Sequence, residues 1–225
     1  GYKHFAHPYD IAGILSLLEY VNQNELAKNN LIKIQHDAED EFYLLNVADN
    51  LKLSETQGTS LYCKVESIAE ILSIETPNVF LDNNPVLNAY VLGGANPSIA
   101  LNSALIEQMS DDMLNAVIGH ELGHIISEHT FFRLLAQYYH FFSNLLSALP
   151  FIGWFLSLGT RWYLFDWYRK SEFTADRAAL LATQDLEAVK NTIMFLSGGS
   201  TRIMNELNTS GFIDQADEFK KFMIS

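Results

Sequence analysis

Residues 117–129 read VIGHELGHIISEH, with three histidines and two glutamates in thirteen residues. His120 and His124 are four apart, so on an α-helix they stand about 40° apart around the axis and one turn apart along it. Their imidazoles can then approach one divalent ion. Neutral nitrogen donors suit Zn²⁺, whose catalytic sites keep three protein ligands and leave one position for water. Glu121 is rotated about 100° from His120, beside the ligand face. From there it reaches a water at the ion without binding the ion, the position a general base needs. His129 comes nine residues after His120 and is turned about 180° from it on a continuous helix. It reads as a surface or packing histidine. The pattern that supplies a third histidine needs glycine at 127 and histidine at 130, where this chain has Ser127 and Thr130.

The third ligand must therefore come from another element. Glu172, in SEFTAD, is the candidate, and Asp176 lies one turn later on the same helical face. A carboxylate there can accept the outer N–H of a ligand histidine, fixing its tautomer and raising its basicity. Without a metal, the two acids would read as an exposed edge paired with Arg169 or Arg177. The joint occurrence of H-E-x-x-H, a downstream E-x-x-x-D and apolar faces to pack them favours one Zn²⁺ per chain.

These residues need rigid carriers. Ser110 is a plausible N-cap for the H-E-x-x-H helix, and Asp111 and Asp112 complement its dipole. Met113 stands where a capping box would have Glu or Gln. Leu114, Val117, Ile118, Leu122, Ile125 and Ile126 give that helix a broad apolar side. Apolar spacing predicts further helices over 10–27, 37–51, 64–74 and 169–184, and through most of the chain after 185. NVFLD (78–82), LNAYVLG (87–93) and SIALN (98–102) are short β-prone runs separated by turn signals. The expected fold is α+β and mostly helical, with a small sheet of about three strands and an active-site helix. A single domain over 1–225 is expected: a helical region to 76, the sheet and ligand helices over 77–184, and C-terminal helices over 185–225.

Acids outnumber bases 27 to 14. That argues against nucleic acid as a partner, since phosphates need lysine and arginine, and against simple electrostatic docking on anionic lipid. One cysteine, Cys63, cannot form an internal disulfide. Residues 134–160 contain no charged side chain, but Pro150, Gly153 and Gly159 interrupt them. A hairpin or flap of a soluble domain is expected there, with peripheral membrane contact through 141–160 as the alternative. The N-terminal residues carry no signal-peptide core, so a cytoplasmic or membrane-associated location is expected.

The stretches NVFLDNNPVLNAYVLG, SIALNSALIEQMSDDMLNAVIGHELGHIISEH and SEFTADRAALLA together resemble peptidase family M48, the gluzincin group of HtpX and the CAAX prenyl endoprotease. HPYD near the start and LSGGS near the end are similar to a soluble-domain branch of it. The resemblance implies a zincin-like metalloprotease fold, with Zn²⁺ held by His120, His124 and Glu172, Glu121 as catalytic base and Asp176 behind a ligand. It implies a peptide or protein substrate bordered by the strand around Asn88, Ala89 and Tyr90. The chain departs from the membrane-embedded members in lacking clear transmembrane helices, and from others in lacking a His-Pro motif after the second ligand helix. The donor to the oxyanion is open among Tyr138, His140, Tyr163, Tyr168, Arg177 and Arg202. Two rival readings are a catalytically silent zinc-bearing chaperone or scaffold, which has no use for Glu121, and a membrane-associated quality-control protease.

Overall fold

The computed structural model describes residues 25–93, 96–127, 158–198, 200 and 202–224. The expectations placed on 10–24, His129, Tyr138, His140 and 134–157 lie outside these residues. The described chain runs α1 (Glu25–Asp49), β1 (Leu51–Leu53), α2 (Thr59–Ile71), β2 (Asn78–Asp82), β3 (Ala89–Leu92) and β4 (Ser98–Asn102). It continues through α3 (Ser103–Gln108), α4 (Asp111–Ile126), α5 (Leu158–Thr183), α6 (Leu186–Leu196), a 3-10 turn at Met204–Glu206 and α7 (Thr209–Ile224).

The sheet has four strands in the order β1-β2-β4-β3, one more than the sequence suggested. The added strand is LKL, whose Leu51 closes the helix expected over 37–51 and whose other two residues carried no pattern of their own. β2 and β4 are parallel, with Val79 opposite Ile99, and the two outer pairings are antiparallel. Period-two alternation sends Leu53, Val79, Ile99 and Leu101 to one face. There they form a core with Val65, Ile68 and Ala69 of α2 and with Leu114, Val117, Ile118 and Leu122 of α4. The other face is covered by α1. Tyr43 meets Phe80 edge-on at 6.1 Å, and Phe42 meets Tyr90 edge-on at 5.6 Å. All five residues of β4 are buried, as expected of a central strand covered on both faces.

α4 begins as its sequence implies: the Met113 amide donates to the Ser110 hydroxyl at 3.3 Å. Its closest helical neighbour is α5. A β-carbon on Gly123 would lie 2.6 Å from Ala178 Cβ and 3.1 Å from Ala175 Cα, and one on Gly119 would lie 2.7 Å from Ala182 Cβ. Glycine on α4 and alanine on α5 thus let two backbones approach to a distance no larger pair of residues permits. α6 packs on both, and the Asp185 carboxylate caps it by accepting from the amides of Glu187 and Ala188.

Candidate metal centre

The close α4–α5 crossing brings Glu172 and Asp176 to the histidine face of α4. His120 Nε2 lies 3.1 Å from His124 Nε2 and 3.2 Å from Glu172 Oε2, and His124 Nε2 lies 3.7 Å from Glu172 Oε1. His120 Nδ1 lies 3.0 Å from Asp176 Oδ1. A carboxylate only accepts, so Nδ1 carries the proton donated to Asp176, and Nε2 is turned to His124 and Glu172. His124 is fully buried, while His120 and Glu172 are partly exposed.

The donor set fits a tetrahedral divalent ion. Bonds of ~2.0–2.2 Å would separate tetrahedral donors by roughly 3.3–3.6 Å, and the three separations here bracket that spacing. Charge agrees as well, because Glu121, Glu172 and Asp176 bring three carboxylates around two imidazoles. Burial pulls the His120 pKa down. Hydrogen bonds to Asp176 and Glu172, with the charges of Glu121 and Glu172, outweigh it and raise the pKa from 6.5 to about 10. His120 therefore holds a proton at neutral pH until a cation takes that proton's place.

His120, Glu121, Glu172 and Asp176 line a cleft of about 370 Å³. Glu121 is 7% exposed and reaches the cleft from beside the ligand face. Asn88 and Ala89 line it too, and the Asn102 amide donates to the Asn88 carbonyl at 3.1 Å. Tyr90 turns to the other face of the sheet. Its hydroxyl donates to Asp82 Oδ2 at 3.2 Å and accepts from Asn50 Nδ2 at 3.3 Å. Burial raises the Tyr90 pKa above the usual phenol range, and the Asp82 charge adds to this. β3 is an edge strand, and among the described residues no strand pairs with its outer side. Arg177 and Arg202 are exposed and do not line the cleft. Tyr163 and Tyr168 fall on α5 upstream of Glu172.

Sequence reasoning gave α6 no role, yet Val189, Thr192 and Ile193 form a wall of the cleft. Their spacing announced a helix with one apolar face, but nothing local said that part of this face would border a site.

Fold and site together bring two histidines of one helix and a carboxylate of another to one cleft beside an edge strand. Comparison with known proteins bears on this directly. A model of peptidase family M48 matches residues 55–216. The plastoglobule-localized metallopeptidase 48, chloroplastic, of Arabidopsis thaliana is 33% identical over 223 residues, covering 96% of this chain and 62% of that protein. A protease HtpX homolog of Streptococcus pneumoniae (strain Hungary19A-6) is 37% identical over 76 residues, 33% of this chain and 25% of its own. No solved structure matches the chain. The chain belongs to peptidase family M48. It spans less than two thirds of the length of these relatives.

Proposed function

We propose that this chain is a zinc metalloendopeptidase in which His120, His124 and Glu172 hold one Zn²⁺ and Glu121 is the general base. The convergence of two histidines from one helix and a carboxylate from another, with donor spacings of 3.1 to 3.7 Å, carries this reading. When bound, the ion supplies Lewis acidity, polarising a scissile carbonyl and lowering the pKa of a water towards about 7. Asp176 holds the His120 proton on Nδ1, which keeps Nε2 facing the site. Glu121 accepts the proton of the attacking water at its carboxylate, then passes it to the nitrogen of the departing amine. The outer edge of β3 offers main-chain groups to an extended peptide, held beside the base by Asn88 and Ala89.

Glu121→Gln should retain one zinc per chain and lose about 10²–10⁴-fold in kcat on a peptide substrate. Wild-type turnover in the zinc-loaded variant refutes the assignment of the base. The same comparison separates an enzyme from a zinc-bearing scaffold, since a scaffold cleaves with neither side chain.

Attachment to a lipid surface is a second reading. The Arabidopsis relative is named for the plastoglobule, and residues 141–160 contain no charged side chain. Among the described residues no helix is long and apolar enough to cross a membrane. Flotation of the chain with liposomes should then depend on residues 141–160, and equal flotation with and without them rejects this contact.

A further inference from the structure

The loop between β2 and β3 reaches the cleft, and the junction of β4 with α3 holds it there. Consecutive residues of this junction take alternate carbonyls of the loop. Asn102 Nδ2 donates to the Val86 carbonyl at 3.0 Å, and the Asn102 amide to the Asn88 carbonyl at 3.1 Å. The Ser103 hydroxyl and the Ala104 amide donate to the Asn84 carbonyl at 3.3 and 3.4 Å. We infer that Asn102 is a positioning residue for substrate: its grip on the loop sets how the first residues of β3 meet the peptide. The inference rests on the hydrolytic reading above and adds to it a residue outside the cleft.

Stability does not account for this asparagine. Asn102 is 2% exposed, and its Oδ1 has no hydrogen-bond partner among the described residues. A buried amide oxygen left without a donor is costly, and an apolar side chain of similar shape avoids that cost. Helix capping does not account for it either. Asn102 stands at the N-cap of α3, yet its side chain makes no capping bond and donates to Val86 instead. What the asparagine supplies is the hold on the loop.

Placement ties that hold to the cleft. The two carbonyls that Asn102 takes flank Leu87, and Leu87, Asn88 and Ala89 line the cleft with His120 and Glu121. Main-chain direction follows from the same bonds. In an antiparallel pair, residues that bond across alternate with residues that turn both N–H and C=O away. Asn88 bonds to Asn102, and β3 continues in register with Ala89 opposite Leu101 and Tyr90 opposite Ala100. Asn88 and Tyr90 therefore address β4, while Ala89 turns its amide and carbonyl to the open edge. A slip of one residue would exchange these roles. Asn102 resists the slip without itself lining the cleft.

The test uses the zinc-loaded full chain and a fluorogenic peptide that the wild type cleaves, chosen by digesting a proteome-derived peptide mixture. Asn102→Leu keeps the branching of the side chain and removes its donor. Val86 is exposed, so water can serve its carbonyl in the variant. The variant should bind one zinc and melt close to the wild type. Its KM should rise about 3- to 10-fold, the worth of one hydrogen bond, with kcat within about 2-fold. Hydrogen exchange should quicken at amides 86–91 and stay unchanged in α4 and α5. A side chain that served packing alone would move the melting temperature and leave KM as it was. A wild-type KM in zinc-loaded Asn102→Leu overturns the inference while the hydrolytic reading stands. So does a raised KM without faster exchange over 86–91. If Asn102→Leu fails to fold, Ser103→Ala decides, since it removes another donor to the same loop. Its KM should rise about 2-fold or more at unchanged kcat, and an unchanged KM overturns the inference. A zinc-loaded wild type that cuts nothing overturns both readings.

Discussion

At the site, each group is defined by the one behind it. His120 has two nitrogens; Asp176 lies 3.0 Å from one of them, and the other is turned to His124 and Glu172. Asp176 touches neither substrate nor the reacting water in this scheme, so it is a positioning residue. Asp176→Ala should leave the fold intact and weaken zinc affinity by about 10–100-fold, read by competition with a chelating dye. Asp176→Asn should recover part of that loss, because an amide oxygen can still accept the Nδ1 proton. An unchanged affinity in both variants would mean that His120 needs no orienting partner. These residues were legible in the sequence because helical spacing fixes which side chains share a face. Tyr90 shows the limit of such reasoning. The run LNAYVLG announces a strand, but which of its side chains faces the cleft depends on the register with β4, and that register is a tertiary fact.

Helices α4 and α5 carry the donors, and the distance between their axes sets the fit. Gly123→Ala places a methyl 2.6 Å from Ala178 Cβ, against a wall that includes backbone at Ala175. Overpacking of this kind costs about 1–3 kcal/mol. The variant should melt at a lower temperature and also bind zinc more weakly, since the helices must part and carry Glu172 away from the histidines. A thermal melt with a parallel zinc titration checks both. A drop in stability with unchanged affinity would show that the crossing does not set the site. Sequence patterning placed β2 and β4 to the residue, but it began α5 at 169 where the helix starts at Leu158. It concealed β1, because three residues are too few for an alternating pattern to stand out. It also hid the continuity of α1, whose Asn29 and Asn30 look like a break. Burial of the later part of α1 against the sheet supplies what propensity there lacks.

Over the whole molecule, the metal-free and metal-loaded forms should answer pH in opposite ways. The His120 pKa is raised from 6.5 to about 10 on folding. Its protonated form therefore adds stability to the metal-free chain that is fully present below pH 6.5 and is lost as pH rises towards 10. The melting temperature of chelated wild type, measured relative to chelated His120→Ala, should fall across that window. Zinc affinity should rise over the same window, because the ion displaces this proton. A flat difference between the two chelated proteins would refute the coupling. Three of the chain's acids, Glu121, Glu172 and Asp176, gather at the cleft. No sequence pattern disclosed that α6, from the C-terminal region, would wall the same cleft, because that depends on how the chain returns over α4.

His120 and the carboxylate that orients it are separated by 56 positions along the chain. A nascent polypeptide emerging from the ribosome thus exposes the H-E-x-x-H segment well before its counterpart has been synthesised. The cluster of donors therefore exists only once both helices have been made and packed against each other.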